Sequence, residues 1–248
     1  SAFDIVCKND KVYMIIGGKD LLNGKRFDKG GYILTYDYDK WSFIDPKEAQ
    51  KKLNLPRNPR DYTSIAVTTD DSNDEIVYAS SMGDGVIQYK NGTPVQSYNE
   101  KNAFKETAGG YGSGYCYIDG LAFDKNGNLW MTSSEVNHAV LVLDKAGAWH
   151  RLDIEQLRGV YTINDILITS TNDKWIYVPR NTPKLVMIPN SESLDEVSSY
   201  EFTTLIDTDG KELTPSNYTC VAEDKDGYIW VGTNRGAVYF TKPRISSA

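Results

Sequence analysis

The feature that most constrains the fold is a stretch at residues 118–131 that recurs, without a gap, at residues 218–231. The identical positions in the two copies are Ala122 and Ala222, Asp124 and Asp224, Lys125 and Lys225, Gly127 and Gly227, and Trp130 and Trp230. Each copy places an Asn-Gly or Asp-Gly pair between two apolar runs, which is typical of a tight β-hairpin because glycine readily adopts positive φ. A repeated hairpin indicates a propeller or a solenoid.

Short apolar runs separated by polar turns continue along the chain, so the sequence predicts an all-β fold. The runs form five repeats of about four antiparallel strands, at approximately residues 3–45, 62–99, 117–152, 161–206 and 217–243. This pattern predicts a single β-propeller domain over residues 1–248. A β-helix would need shorter repeats and parallel strands. The fifth repeat has only three strand-like runs, so we expect a strand from elsewhere to complete it, or an incomplete ring from a longer protein.

Two segments between the repeats carry their own signals. Asp45 and Pro46 are typical of the start of a helix, and Pro56 ends it, which predicts one short connecting helix. The glycine-rich residues 101–114 lead into a strand, whereas a phosphate-binding loop leads into a helix. We therefore expect a surface loop there.

Three tryptophans, Trp130, Trp175 and Trp230, begin the second strands of their repeats. A buried tryptophan removes on the order of 200 Å² from water, so these positions are predicted to pack between neighbouring blades. Gly127 and Gly227 are predicted to have a structural role in the hairpin turns.

Composition excludes several classes of function. The net charge of −7 and the absence of a Lys/Arg cluster exclude a nucleic-acid partner and disfavour an anionic membrane surface. No apolar run approaches the roughly 18 residues of a spanning helix, so no membrane insertion is predicted. Cys7, Cys116 and Cys220 are too scattered for a disulfide framework or a metal site and are expected in or near the core. Neither a metal nor a cofactor is predicted.

In a propeller, the loops that join second to third strands meet the segments that lead into the innermost strands at one edge. Arginine, tyrosine, histidine and asparagine at these positions suit an anionic or sugar-like ligand, through bidentate hydrogen bonds and stacking. The alternative is that they are ordinary polar loop residues. The candidate ligand-binding residues are Arg60, Asp61, Tyr62, Glu135, His138, Tyr161, Arg180, Asn181, Asn234 and Arg235.

Catalytic signatures are weak. Glu135 and His138 could form an acid-base pair. No nucleophile elbow, zinc-ligand spacing or separated carboxylate pair accompanies them. Asp124, Asn126 and Asn128 imitate the start of a calcium loop, but Leu129 stands where that loop needs glycine. The sequence therefore predicts a protein without enzymatic activity.

The pattern Asp-x-x-Gly-x-Ile/Leu-Trp, at residues 124–130 and 224–230, resembles the two-component-regulator propeller repeat. Residues 58–67, 98–100 and 120–130 resemble the PorZ-type surface components of the type IX secretion system of Bacteroidetes more than they resemble the sensor kinases with such repeats. That resemblance spans residues 3–240. It implies an extracytoplasmic binding or assembly propeller, in the periplasm or on the outer surface, with a sortase-like protein partner, an anionic saccharide, or both.

Two alternatives stay open. The same repeats occur in periplasmic sensor propellers of hybrid histidine kinases, which would imply an oligosaccharide ligand. A propeller lyase is a third class, supported only by similarity of fold.

Overall fold

The computed structural model describes residues 2–20, 23–104, 114–195 and 197–241. Its first sheet is an antiparallel meander of β1 (Ala2–Lys8), β2 (Lys11–Ile16), β3 (Ile33–Asp37) and β4 (Lys40–Ile44). The predicted helix α1 (Pro46–Leu53) follows, and the Asp45 carboxylate caps it by accepting a hydrogen bond from the Lys47 amide at 2.9 Å.

The second and third sheets repeat the meander. The second contains β5 (Tyr62–Thr69), β6 (Glu75–Gly83), β7 (Gly85–Lys90) and β8 (Thr93–Tyr98). The third contains β9 (Cys116–Phe123), β10 (Leu129–Ser133), β11 (Val140–Leu143) and β12 (Trp149–Leu152). The two sheets are also joined to each other, because Met82 and Gly83 of β6 pair with Tyr117 and Cys116 of β9. The expected loop at residues 101–114 lies largely outside the described residues.

The fourth sheet follows the one-turn 3-10 helix Glu155–Leu157 and contains β13 (Ile166–Ile168), β14 (Lys174–Val178), β15 (Lys184–Ile188) and β16 (Tyr200–Phe202). Its fourth strand is shorter than predicted, because β17 (Leu205–Ile206) pairs instead with β18 (Glu212–Leu213). The fifth sheet contains β19 (Tyr218–Glu223), β20 (Ile229–Thr233) and β21 (Gly236–Phe240). The chain is therefore a β-propeller of antiparallel sheets, and its division into five blades within one domain stays a prediction.

Apolar clusters fill the space between successive sheets. One cluster joins the first and second sheets through Ile15 and Ile65, and the next joins the second and third through Tyr78 and Met131. Two more join the third to the fourth sheet and the fourth to the fifth. Alternate residues of each strand point to opposite neighbours, so every internal sheet is apolar on both faces.

The tryptophans differ in burial. Trp130 and Trp175 are each 1% exposed and lie in the clusters that join the third, fourth and fifth sheets. The prediction for Trp230 is wrong, because its side chain is 41% exposed. Trp230 pairs with Ala222 as Trp130 pairs with Ala122, but no further sheet covers that face of the fifth sheet in the described part of the chain.

The repeated hairpins have the predicted turns. Gly127 and Gly227 have φ values of 83° and 81°, which glycine adopts without a steric penalty. The Asp124 carboxylate accepts hydrogen bonds from the Asn126 and Asn128 amides and from the Trp130 indole, each at 2.9 Å. Its oxygens stabilise the turn.

The cysteines only partly follow the expectation. Cys116 is buried in the cluster between the second and third sheets. Cys7 and Cys220 are exposed, because they lie in the first and fifth sheets, which each have only one described neighbour.

Candidate binding site

The candidate residues lie along one edge of the sheets, here called the upper rim. It consists of the connections between second and third strands, at residues 17–20 and 23–32, 83–85, 134–139, 179–183 and 234–236, and of the residues that lead into each innermost strand. The first connection is the longest in sequence, and its Lys19 contacts Asp119 of the third sheet.

Asp61 holds that long connection in place. Its carboxylate is fully buried and accepts hydrogen bonds from the backbone amides of Lys29 at 2.9 Å and Asp28 at 3.1 Å, and from Nε of Arg26 at 3.2 Å. A buried carboxylate with this many donors is a structural anchor. The prediction that Asp61 binds a ligand is therefore wrong.

Tyr62 is also unavailable to a ligand. Its side chain is fully buried between the first and second sheets, and its hydroxyl lies 2.6 Å from the hydroxyl of Tyr89. Burial raises the pKa of Tyr62 well above its ordinary value. The prediction of a binding role is wrong here too, because the apolar cluster surrounds the ring.

Arg60 remains accessible, with a third of its side chain exposed. Its Nη1 lies 3.2 Å from Oδ1 of Asp28, and its backbone amide donates to Oδ2 of Asp84 at 3.1 Å. Asp84 also pairs with the guanidinium of Arg57 at 2.6 Å. The arginines of this part of the rim are paired with aspartates, which reduces their attraction for an anion.

The long connection carries a lysine into the centre of the molecule. Lys19 Nζ lies 2.5 Å from Oδ1 of Asp119 and 3.1 Å from the hydroxyl of Tyr117, and both members of the ion pair are buried. Oδ2 of Asp119 accepts a hydrogen bond from Ser134 Oγ at 2.5 Å, and Ser134 Oγ accepts one from the Ile163 amide at 2.8 Å. Burial raises the pKa of Asp119, and the Lys19 ammonium partly offsets that effect.

Arg180 contacts the middle of the same connection. Nη2 of Arg180, in the fourth sheet's rim loop, lies 3.4 Å from Thr162 Oγ1. The guanidinium also packs against Gly24, where a β-carbon would lie too close to Nη2 of Arg180 and the φ of +73° favours glycine. Arg180 thus contacts both the segment that leads into the fourth sheet, at Thr162, and the long connection of the first sheet, at Gly24.

Glu135 and His138 have different surroundings. Glu135 has a φ of 62° and a buried Oε1 without a hydrogen-bond partner among the described residues. Burial raises the pKa of Glu135, and the Asp119 charge adds to that shift. His138 is half-buried near Asp153, whose pKa is lowered mainly by a hydrogen bond from Arg158 and only slightly by His138. The Asp119 charge therefore affects Glu135, whereas His138 lies near Asp153.

The other candidates lie at the solvent boundary. Tyr161 is 50% exposed, and Asn181 is exposed with a φ of 67°. Asn234 is exposed, but its Oδ1 accepts hydrogen bonds from the Ser216 and Asn217 amides, so it closes a turn. Arg235 is exposed beside it. The candidates that are neither fully buried nor used to close a turn are Arg60, Glu135, His138, Tyr161, Arg180, Asn181 and Arg235, and their role in binding stays a prediction.

Sequence reasoning missed the charged groups of the central channel. Asp4, Asp119, Asn164 and Asp165 line a cavity of about 110 Å³ together with Lys19. Two aspartates were the available signal for a polar centre. Asp119 lies inside an innermost strand that is otherwise apolar, and Asp165 comes just before another. Lys19 carried no such signal, because it stands in a polar loop.

Among the described residues, none of the helices has the length and apolar character needed to cross a membrane.

A family match lies in the last repeat of the chain. Residues 212–235 match the two-component regulator propeller family. No curated protein matches the sequence significantly. The structure, however, is similar to solved propellers over nearly its whole length, at identities that show a shared fold.

One similar structure is PorZ, an essential surface component of the type IX secretion system of Porphyromonas gingivalis. It has 19% identity and a TM-score of 0.79 over 96% of this chain and 32% of that chain. Another is the extracellular domain of a candidate one component system of B. thetaiotaomicron, with 17% identity and a TM-score of 0.62 over 99% of this chain and 28% of that chain. The chain thus spans about a third of the length of these two proteins.

A third similar structure is a candidate 6-phosphogluconolactonase from Bacteroides uniformis. It has 12% identity and a TM-score of 0.57 over 98% of this chain and 68% of that chain. The propeller fold is common to all three proteins, and their different functions show that the fold alone does not fix a function.

Proposed function

We propose that this chain is the propeller of a PorZ-like surface component of the type IX secretion system, acting outside the cytoplasm as a binding or assembly module without catalytic activity. The observation that carries this proposal is the TM-score of 0.79 with PorZ over 96% of the chain. The sensor propeller from B. thetaiotaomicron covers the chain equally well but superposes less closely, with a TM-score of 0.62.

The upper rim is the proposed contact surface. Tyr161 supplies an exposed aromatic ring, and Arg60 and Arg180 supply guanidinium groups that the rim already orients. Tyrosine and arginine, together with tryptophan, are enriched among the residues that contribute most to the energy of protein interfaces. We therefore propose a protein partner, a sortase-like component, as the first ligand of the rim and an anionic saccharide as the second.

Binding measurements on rim variants test this proposal. The purified chain is titrated with the sortase of the same organism, and separately with its anionic lipopolysaccharide. Arg60→Ala and Tyr161→Ala are each expected to weaken binding by about tenfold, as removal of an interface anchor does. Lys145→Ala and Tyr38→Ala, which change exposed side chains at the opposite edge, should bind like wild type.

The contrary results are clear. If neither ligand binds, or if the rim variants bind as tightly as the controls, the proposed surface is wrong. Disruption of the gene supplies the cellular test: secretion of type IX cargo is expected to fail, and normal secretion would contradict the assignment to this system.

The second candidate function is an extracellular sensor propeller that binds an oligosaccharide. The match of residues 212–235 to the two-component regulator propeller family favours it. A membrane helix and a histidine kinase encoded after this region would establish the sensor, whereas an encoded β-sandwich domain would support the secretion component.

A further inference from the structure

The innermost strands of the propeller surround a chamber of about 110 Å³. Asp4 enters it from the first sheet, Asp119 from the third, and Asn164 and Asp165 from the segment that leads into the fourth. This central chamber is therefore lined by three carboxyl groups, with Lys19 as its one cation among the lining residues.

The charges of the chamber are not balanced. Lys19 is already paired with Asp119. The Asp4 carboxylate is held by neutral donors, the Ile65 amide at 3.0 Å and Ser64 Oγ at 3.2 Å. Asp165 accepts a hydrogen bond from the Ile166 amide at 2.9 Å, and it has no salt bridge within the described residues. Two carboxyl groups thus face the chamber without a cation of their own.

Asn164 adds an acceptor that nothing satisfies. Its side chain is only 8% exposed, and its Nδ2 donates to the hydroxyl of Tyr177 at 3.3 Å, which itself donates to the Thr219 carbonyl at 3.2 Å. This chain of donors fixes the orientation of the amide. Oδ1 of Asn164 is left without a hydrogen-bond partner in the described part of the chain. A buried acceptor without a hydrogen-bond donor costs free energy. A ligand that brings a donor to Oδ1 of Asn164 would remove this cost.

We propose that the central chamber binds a small organic cation with N–H donors, a protonated primary amine, between Asp165 and Oδ1 of Asn164. An ammonium group offers three donors and one positive charge, which are the two properties that the lining lacks. Lys19 shows the same chemistry nearby, because its ammonium contacts Asp119 and the hydroxyl of Tyr117.

Size and geometry favour an amine over a metal ion. The cavity of about 110 Å³ is several times the roughly 10–15 Å³ that a cavity needs to hold one water molecule. Within the described residues, no three side chains of His, Cys, Asp or Glu are placed to hold a metal ion. Hydrogen bonds to an ammonium tolerate more widely spaced acceptors than direct metal coordination does. This proposal is independent of the secretion role.

The protonation of Asp165 makes the proposed binding dependent on pH. Its side chain is open to solvent within the channel, yet protein surrounds it, and this burial raises the pKa of Asp165 to about 7. The charges of Asp4 and Asp119 raise the pKa further, and the charge of Lys19 lowers it. Tyr177 faces the same chamber with a raised pKa, so it stays neutral. A cation binds the ionised carboxylate, so affinity should decrease by roughly fivefold from pH 7 to pH 6.

Methylammonium and tetramethylammonium chloride are the probes. They carry the same charge, but tetramethylammonium has no N–H donor. Methylammonium is expected to bind the wild-type chain at one saturable site, seen as chemical-shift changes and as a rise in melting temperature. Tetramethylammonium at the same concentration should give neither effect. Equal effects of the two salts would show that N–H donors play no part, and no saturable binding would show that the chamber holds no cation; either result would overturn the proposal.

Substitutions locate the site. Asp165→Asn and Asn164→Ser are each expected to weaken methylammonium binding at least tenfold. Asp71→Asn is the control, because Asp71 is 95% exposed at the opposite edge of the sheets. If Asp165→Asn binds like wild type, the site is wrong. If that variant does not fold, the pH titration of the wild-type chain decides: an affinity that is constant between pH 6 and pH 8 overturns the proposal.

Discussion

Replacement of Trp130 by alanine tests how the sheets are held together. The indole is 1% exposed between the third and fourth sheets, and its Nε1 donates to Oδ2 of Asp124 at 2.9 Å. Lys174 Nζ also lies 4.5 Å from the centre of the ring. Loss of a buried tryptophan side chain costs about 3–5 kcal/mol, because the cavity closes only in part. For a chain of this size that corresponds to a decrease in melting temperature of roughly 6–20 °C.

The repeated hairpin provides a matched control. Trp230 occupies the same register position, and its indole donates to Asp224 at 2.7 Å, but its side chain is 41% exposed. Trp230→Ala therefore removes the same hydrogen bond and creates no comparable cavity, so it should cost less than half as much. The assay is urea unfolding followed by circular dichroism. Costs that agree to within about 0.5 kcal/mol would refute the idea that packing between sheets sets the stability at this position.

Two further predictions concern the rim and the channel. Asparagine at position 61 tolerates the φ of 49°, but Asp61→Asn weakens the hydrogen bonds that hold residues 26–30. Amide hydrogen exchange in that segment should therefore accelerate, while exchange in β5 stays as in the wild type. Unchanged exchange in residues 26–30 would contradict the anchoring role. Because the pKa of Asp165 is raised from 3.8 to about 7, the folded state binds the extra proton, and stability should decrease as pH increases from about 4 to about 7. Asp165→Asn should reduce this dependence; an identical pH profile in the variant would show that another group is responsible.

The fold was predictable where local chemistry decides it. The hairpins at Gly127 and Gly227 follow from turn residues between apolar runs, and the helix at Pro46–Leu53 follows from its cap. Burial of a given residue was less predictable, because Trp130 and Trp230 have the same local sequence pattern. Their difference in exposure arises from the neighbouring sheet, which the hairpin itself does not encode.

The site was predictable only as a region. Strand order placed the candidate residues at the upper rim, but it did not distinguish Asp61, which anchors a loop, from Arg60, which faces solvent. The central chamber was missed because its lining combines residues from sheets far apart in sequence. Lys19 and Asp119 meet only through tertiary structure, and no local pattern predicts such a pairing.

The separation of Lys19 and Asp119 has a consequence for the order of folding. The two residues are 100 positions apart, and the second sheet lies between their sheets. Each sheet forms from strands adjacent in sequence, whereas this ion pair closes only after three sheets have assembled. We therefore expect it to form late, on the native side of the folding barrier. Removing the ion pair should accelerate unfolding and leave the rate of folding almost unchanged. The buried pair is therefore expected to slow the unfolding of the assembled propeller.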